Sequence, residues 1–176
     1  MSHSISVTAQ CAYISATGIR CKRATTVTHP FCAQHTRSIL GFEVKPSHIV
    51  PAGLGLYATR NFDKGTILME YHGDKLTIKQ YAERYAETGF GTYGMTLNKQ
   101  YVLDACKTSA GLGRYICDYH GSGQKPNVRY YSTGKIVEII AIRPINTGDE
   151  LYADYGREIL EAMGILPSKK QRIPKS

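Results

Sequence analysis

The sequence predicts a mostly-β domain with one or two short helices, and three observations support this fold class. The 176-residue chain holds 17 glycines and 13 tyrosines but no tryptophan, and this composition is typical of strands joined by turns. The β-prone runs are short, and most are bounded by turn residues. The length favours one main domain with a sizeable core plus a small appendage.

The first half of the chain holds several predicted strands and the longer predicted helix. Strands are expected in FEVKPS and HIVPAGLGLYATR, around a glycine-rich turn at residues 53–55. A further strand is expected in TILMEY, between the NFDKG turn and Gly73. Thr77 is the predicted N-cap of a helix over residues 78–87, which ends at Gly89.

The second half continues with strands and loops. GTYGMTLNKQYVLDA predicts a hairpin that turns near residues 98–99, and SAGLGRYICDYHGSGQKPN predicts a loop with an apolar centre. KIVEIIAIRPI is the strongest predicted strand because it is rich in Ile and Val. After the NTGDE turn, LYADYG predicts a last short strand, and residues 157–163 predict a second short helix.

Positive charge is concentrated at the two ends of the chain. The formal net charge is +8, of which residues 1–50 carry +4, residues 51–156 carry +1 and residues 157–176 carry +3. Basic ends on a nearly neutral centre predict contact with a polyanion such as nucleic acid. The alternative is that these charges serve only solubility and a frayed tail.

The sequence gives no sign of a membrane partner. No apolar run is long enough to span a bilayer, and the start, MSHSISVTAQ, lacks the features of a signal peptide. We therefore expect an intracellular protein whose five cysteines are reduced.

Three of the cysteines and one histidine predict a zinc site near the start of the chain. Their spacing is Cys11-x9-Cys21-x10-Cys32-x2-His35. Three thiolates and one imidazole form a complete tetrahedral set for zinc, and a segment with so few core-forming side chains would gain order from the metal. The alternative is a set of scattered reduced cysteines beside a disordered start.

Four blocks of sequence, in this order, resemble the SET domain of protein lysine methyltransferases. They are AGLGLYATRNFDKGTIL at 52–68, EYHG at 70–73, YVLDACKTSAGLGRYICDYH at 101–120 with PN at 126–127, and AIRPINTGDELYADYG at 141–156. The resemblance covers residues 42–156, about two thirds of the chain. It divides the chain into a zinc-binding segment (1–40), a SET domain (41–156) and a basic C-terminal extension (157–176).

The resemblance implies a fold and an activity. The fold consists of small β-sheets around a threaded loop, a pseudoknot in which the third and fourth blocks cross. The activity is transfer of a methyl group from S-adenosylmethionine to a lysine of a histone or another chromatin protein. A nuclear location follows from that substrate, and the basic ends fit contact with nucleosomal DNA.

The resemblance also assigns residues to a cofactor site and a lysine channel. It places eight residues at the cofactor: Leu54, Gly55, Leu56, Tyr71, Arg114, Tyr115, Cys117 and Asp118. It makes Tyr155 the catalytic residue, whose hydroxyl orients the lysine amine, and places Tyr101, Ala153 and Tyr155 along the channel. Taken singly, these residues also fit an ordinary tight turn, a buried strand and a tyrosine packed at a strand end.

The sequence departs from the family pattern at three places. Cys117 and Asp118 stand where the family has an Asn-His pair that holds the cofactor, and cysteine is a poor hydrogen-bond donor. Ala153 stands where the family often has Phe or Tyr, so a wider channel is expected if Ala153 faces it. No cysteine follows Tyr155, so residues 157–176 or a partner must close the channel.

Two alternatives to an active enzyme stay open. The first is a catalytically weak or inactive SET-fold module that acts as a scaffold in a chromatin complex, which the changes at Cys117 and Asp118 favour. The second is a nucleic-acid-binding protein that works through its basic ends and zinc segment, whose affinity would fall steeply with salt.

Overall fold

The computed structural model describes residues 5–50, 52–120 and 122–164, which form twelve short strands and three short α-helices. A π-helix at Thr36–Leu40 and 3₁₀ helices at Thr108–Ala110 and Leu112–Tyr115 complete the described elements. The strands are β1 Ala9–Gln10, β2 Ala24–Thr25, β3 Phe42–Pro46, β4 Leu54–Ala58, β5 Ile67–Glu70, β6 Asp74–Thr77, β7 Gly94–Thr96, β8 Tyr101–Asp104, β9 Cys117–Asp118, β10 Val128–Ser132, β11 Val137–Ala141 and β12 Tyr152–Ala153. The helices are α1 Ala33–His35, α2 Ile78–Arg84 and α3 Arg157–Ala162.

The strands build five small sheets. β1 pairs with β2, β3 with β4, and β9 with β12, while β10-β11-β5 and β6-β8-β7 are three-stranded. Every pairing is antiparallel except that of β9 with β12. The prediction of a mostly-β fold with few short helices is therefore confirmed.

Helix α2 begins at Thr77 as predicted and ends earlier than predicted. The Thr77 hydroxyl accepts from the Gln80 N–H at 3.2 Å, and the Gln80 side chain accepts from the Thr77 N–H at 2.9 Å, which completes a capping box. The helix ends at Arg84 because Tyr85 leaves helical geometry, with φ −114° and ψ 24°. The Tyr85 hydroxyl instead donates to the buried Asp104 carboxylate at 2.8 Å.

The third and fourth sequence blocks lie side by side, as the threaded fold requires. In the parallel pair of β9 and β12, Cys117 is opposite Tyr152 and Asp118 is opposite Ala153. The buried Asn127 side chain strengthens this crossing, because it donates to the Glu150 carbonyl and accepts from the Tyr152 N–H, both at 2.8 Å. The crossing fixes the backbone on which the site is built.

The main hydrophobic core lies between these sheets. Phe42 and Phe62 stack with ring centroids 5.0 Å apart, and Ile116, Ile139 and Leu151 are fully buried. Each buried aliphatic side chain of this size contributes about 1.5–3 kcal/mol relative to exposure. Ile116 lies directly before β9, so the core holds the crossing in place. Within the described residues, no helix is long and apolar enough to cross a membrane.

Candidate active site

Two neighbouring cavities share part of their walls, including Tyr155. Cavity A has a volume of about 540 Å³ and cavity B about 690 Å³. Of the described residues, Thr92, Tyr93, Arg114 and Tyr155 line both cavities. The two cavities are therefore adjacent, and Tyr155 is part of the wall of each.

Cavity A is formed by parts of the chain that are far apart in sequence. Its walls include Gly53 and Leu54 at the start of β4, and Tyr115, Cys117 and Asp118 at and before β9. Further lining residues come from both ends of the described chain: Ser6, Val27 and Met163. The volume and the mixture of apolar and polar walls are those of a small-molecule site.

Cys117 forms a mainly apolar part of the wall of cavity A. Its sulfur lies 3.7 Å from the Ser47 hydroxyl and 3.7 Å from the Leu54 carbonyl oxygen. Burial raises the pKa of the Cys117 thiol to about 11, so the thiol is neutral at physiological pH. It offers packing and a weak donor to a ligand, whereas an asparagine there would offer an amide.

The Asp118 carboxylate is engaged with groups of this chain. One oxygen accepts from the His120 N–H at 2.8 Å and lies 2.6 Å from the His120 ring nitrogen. The other oxygen accepts from the Tyr155 N–H at 2.8 Å. Asp118 thus fixes the backbone of Tyr155 from inside cavity A.

Tyr155 lines both cavities, and its hydroxyl is hydrogen-bonded within the chain. The hydroxyl donates to the Ile116 carbonyl at 2.5 Å. Burial raises the pKa of Tyr155 well above its usual value, so the side chain remains a neutral phenol at physiological pH. A neutral hydroxyl and a carbonyl oxygen are suited to orienting a polar group that reaches them from cavity B.

Further tyrosines line cavity B together with Tyr155. The Tyr71 hydroxyl donates to the Tyr93 carbonyl at 2.8 Å, and the Tyr71 ring meets the Tyr130 ring edge-on at 5.7 Å. Tyr71, Tyr93, Tyr130 and Tyr155 all line cavity B. These four tyrosine side chains give cavity B a partly aromatic wall, which disfavours water beside it.

Helix α3 forms one wall of cavity B. Glu158, Ile159 and Ala162 line this cavity, and Met163 after the helix reaches cavity A. The buried Leu160 packs on the opposite side and anchors the helix to the domain. Part of the segment after Tyr155, which the sequence analysis expected to close the channel, therefore lines cavity B.

Five of the eight predicted cofactor residues line cavity A, whereas Tyr71 lines cavity B and two residues line neither cavity. Leu54, Arg114, Tyr115, Cys117 and Asp118 line cavity A, and Tyr71 lines cavity B. Leu56 is instead fully buried in the core. A Cβ on Gly55 would collide with the Glu150 carboxylate, so glycine is needed there for a contact within the chain.

Two predicted channel residues also lie elsewhere. Ala153 is fully buried in the core cluster, because β12 presents it away from both cavities. Tyr101 lies on β8, where the Lys75 ammonium sits 4.3 Å from its ring centroid. The prediction from sequence missed Tyr93 and Tyr130, which line cavity B. Tyr93 lies between the second and third sequence blocks, and Tyr130 follows the Pro126-Asn127 pair.

Arg114 is held mainly by the chain itself. Its Nε donates to the Ala105 carbonyl at 2.8 Å, and a terminal nitrogen donates to the Cys106 carbonyl at 3.3 Å. The guanidinium stacks 4.1 Å from the Tyr93 ring centroid. Arg114 therefore ties the end of β8 to the wall that both cavities share.

The four predicted metal ligands come together at the N-terminal segment. One ligand atom from each of Cys11, Cys21, Cys32 and His35 lies within 4.8 Å of the others. The Nδ1 atom of His35 is 3.4 Å from the sulfur of Cys11 and 3.4 Å from that of Cys32. Tetrahedral zinc places such ligand atoms about 3.4–3.8 Å apart. These residues therefore fit a zinc ion.

Comparisons with known proteins agree with this architecture. A family model described as the SET domain matches residues 53–156. N-lysine methyltransferase KMT5A of Xenopus tropicalis is 34% identical over 122 residues, which cover 64% of this chain and 36% of that protein. Histone-lysine N-methyltransferase trr of Drosophila melanogaster is 33% identical over 120 residues, covering 65% of this chain and 5% of that protein. The chain therefore matches about a third or less of each relative's length.

Solved structures show the same fold. Polycomb repressive complex 2 of Chaetomium thermophilum aligns with a TM-score of 0.55 and 24% identity, over 65% of this chain and 15% of that one. An active polycomb repressive complex 2 in the stimulated state aligns with a TM-score of 0.55 and 25% identity, over the same shares. Because the family model spans more than half of the chain and includes the crossing and Tyr155, this chain belongs to the SET-domain family.

Proposed function

We propose that this chain is a protein-lysine N-methyltransferase that uses S-adenosylmethionine and acts on a histone or another chromatin protein. The observation that carries the proposal is that two neighbouring cavities share the Tyr155 side chain as part of their walls. A methyl donor in cavity A and a lysine side chain entering from cavity B would face each other there. The lysine methyltransferases among the relatives support the same reaction.

The residues of cavity A fit the cofactor. Leu54, Tyr115 and Cys117 supply apolar and aromatic surface, and the volume of about 540 Å³ falls in the range of cofactor sites. When bound, S-adenosylmethionine supplies an electrophilic methyl group on a sulfonium. Cys117 packs against the Leu54 carbonyl. This contact joins the β4 wall of the pocket to the β9 wall.

The passage from cavity B prepares the lysine. An amine must lose its proton before it attacks a methyl group, and its pKa in water is about 10.4. Passage between Tyr71, Tyr93 and Tyr130 strips water from the amine, which disfavours its charged form. The Tyr155 hydroxyl and the Ile116 carbonyl, 2.5 Å apart, then orient the nitrogen for in-line attack.

Cavity B carries charges of both signs, because Asp154 and Glu158 line it together with Arg114 and Arg129. The two carboxylates are the part of this lining that would attract a lysine side chain of a histone. We further propose a nuclear location, and contact of the basic ends with nucleosomal DNA. The basic tail lies mostly in residues 165–176, outside the described residues.

We also propose that Cys11, Cys21, Cys32 and His35 bind one zinc ion that orders residues 1–40 as a unit beside the SET domain of residues 41–156. The proposal rests on the ligand atoms lying within 4.8 Å of one another. Metal analysis of purified protein is expected to give one zinc per chain, and Cys32→Ser to lower that ratio. A metal content near zero in both proteins would refute it.

Isothermal titration of the zinc-loaded protein with S-adenosylmethionine tests the cofactor site. We expect micromolar binding in wild type, and weaker binding in Asp118→Ala because the wall around Tyr155 loses its anchor. The specific observation that favours the scaffold alternative is that the Asp118 oxygens are already engaged. Absence of binding would support that alternative and contradict an enzyme.

A further inference from the structure

We propose that the N-terminal metal segment forms a wall of the cofactor pocket and that Val27 is a cofactor-contacting residue. This inference rests on the proposed function, because it takes cavity A as the cofactor site. Val27 and Ser6 lie outside residues 53–156, to which the family model is matched, yet both line cavity A. Val27 is half-buried and also packs against the main core. The pocket is therefore shared between two parts of the chain.

The start of the segment is hydrogen-bonded to the wall of the pocket. The Ile5 N–H donates to the Cys106 carbonyl at 2.9 Å, and the Thr108 N–H donates to the Ile5 carbonyl at 2.8 Å. The Val7 N–H donates to the hydroxyl of the buried Thr108 at 2.7 Å. Thr108 itself lines cavity A. These bonds hold Ser6, between Ile5 and Val7, at the rim of the cavity.

A second connection joins Val27 to the metal ligands. The buried Thr36, directly after His35, donates its hydroxyl to the Thr28 carbonyl at 3.2 Å. The Thr28 hydroxyl donates to the Phe31 carbonyl at 2.7 Å, next to Cys32. The loop that carries Val27 is thus fastened to the chain on both sides of the Cys32–His35 pair. Order at the metal site consequently holds Val27 in place.

The pairing of β1 with β2 holds the opposite end of this loop. The buried Thr25 is paired with Ala9, and its hydroxyl donates to the Ala9 carbonyl at 3.3 Å. The Cys11 N–H donates to the Arg23 carbonyl at 2.9 Å. Val27 therefore lies between Thr25 and Thr28. Hydrogen bonds hold each of these residues to a part of the chain that carries metal ligands. Loss of the metal would free this loop and open cavity A to water.

Substitution of Val27 tests the contact in the zinc-loaded, full-length protein. Val27→Ala removes two methyl groups from the wall, and we expect the Kd for S-adenosylmethionine to rise about five- to tenfold by isothermal titration. Val27→Ile retains the apolar wall and should bind within about twofold of wild type. Ile19→Ala is the matched control, because Ile19 is a 66% exposed side chain of the same segment and does not line cavity A.

Kinetics separate a contact in the pocket from a general loss of structure. Val27→Ala should raise the KM for S-adenosylmethionine and leave the KM for a histone peptide within about twofold. Equal Kd values for wild type and Val27→Ala would overturn the inference while leaving the proposed function intact. Absence of binding by wild type would instead overturn the proposed function, and this inference with it.

Removal of the metal tests the connection to the ligands. After chelation, we expect at least tenfold weaker S-adenosylmethionine binding while circular dichroism still reports the strands of the SET domain. Restored binding on return of zinc would support the inference. Unchanged S-adenosylmethionine binding by protein shown to be free of zinc would overturn the connection between the metal site and cavity A. Should chelation unfold the whole chain, the Val27 series decides the inference alone.

Discussion

Glu150 lies buried between the loop that carries Ser47 and His48 and the strand that carries Tyr152. Its carboxylate accepts from the Ser47 hydroxyl at 2.5 Å, the His48 N–H at 3.0 Å, the Tyr57 hydroxyl at 2.8 Å and the Tyr152 hydroxyl at 2.7 Å. The Ser47 loop leads into Leu54 of cavity A. One carboxylate therefore holds the loop that leads to cavity A against the crossing.

Glu150→Gln is predicted to destabilise the fold. The carboxylate accepts hydrogen bonds from three hydroxyl groups, and the NH₂ group of a glutamine could not accept them. We expect a loss of about 2–3 kcal/mol in the free energy of unfolding, measured with urea. Glu158→Gln, at an exposed residue of α3, serves as the control and should change stability by less than about 0.5 kcal/mol. Equal stability of Glu150→Gln and wild type would contradict the role of the carboxylate.

The same group predicts a pH dependence. Burial raises the pKa of Glu150, but hydrogen bonds from Ser47, Tyr152, His48 and Tyr57 offset it, so the pKa lies below its usual value of about 4.3. The ionised form is favoured in the folded state. Its contribution is therefore full above about pH 4.3 and is lost as pH falls through the folded-state pKa. Urea unfolding at several pH values should show that the free energy of unfolding falls less steeply with decreasing pH in Glu150→Gln than in wild type.

Tyr130 is predicted to limit how many methyl groups the lysine carries. Its ring lines cavity B beside Tyr71 and Tyr155, whereas Ala153 faces the core. Tyr130→Ala would enlarge the passage, so mass spectrometry of a histone peptide should show a shift towards higher methylation. The neighbouring Tyr131 is 48% exposed, and Tyr131→Ala should leave the product distribution unchanged. A distribution that is identical in all three proteins would refute this role.

At the scale of elements, helix α3 is predicted to serve substrate binding more than cofactor binding. Ile159 lines cavity B and is 37% exposed, while Leu160 anchors the helix. Ile159→Ala should raise the KM for a histone peptide several-fold and leave the Kd for S-adenosylmethionine within about twofold. Ile78→Ala, at a similarly exposed residue of α2, is the control. A change confined to cofactor affinity would contradict this assignment.

Local sequence signals were sufficient for most elements and insufficient for the direction of several side chains. The Thr77 cap, the Ile- and Val-rich β11 and the hairpin of β7 and β8 follow from propensity and turn residues, and the structure contains each. Ala153 could not be placed because its direction depends on the pairing of β9 with β12, and Gly55 because it packs against the distant Glu150 side chain. Tyr93 and Tyr130 reach the site through tertiary packing, which has no local pattern.

At the scale of the whole molecule, the separation of charge predicts two contacts with a nucleosome. The basic ends contact DNA, and the domain between them contacts the histone. The basic ends carry +4 and +3 on either side of a nearly neutral domain, and basic segments bind DNA through its phosphates. Lys169→Glu with Lys170→Glu should weaken nucleosome binding in a gel-shift titration and leave methylation of a free peptide unchanged. Equal losses in both assays would contradict a separate DNA contact.

The most direct test of the account is mass spectrometry of nucleosomes and free histones incubated with the zinc-loaded protein and S-adenosylmethionine. Wild type is predicted to add methyl groups to a histone lysine. Tyr155→Phe should be slower by about 10²-fold, because the hydroxyl that orients the amine is removed, while cofactor binding stays within about twofold. Transfer by Tyr155→Phe at the wild-type rate, or no transfer by wild type despite bound cofactor, would contradict the proposal that chemistry occurs where the two cavities meet.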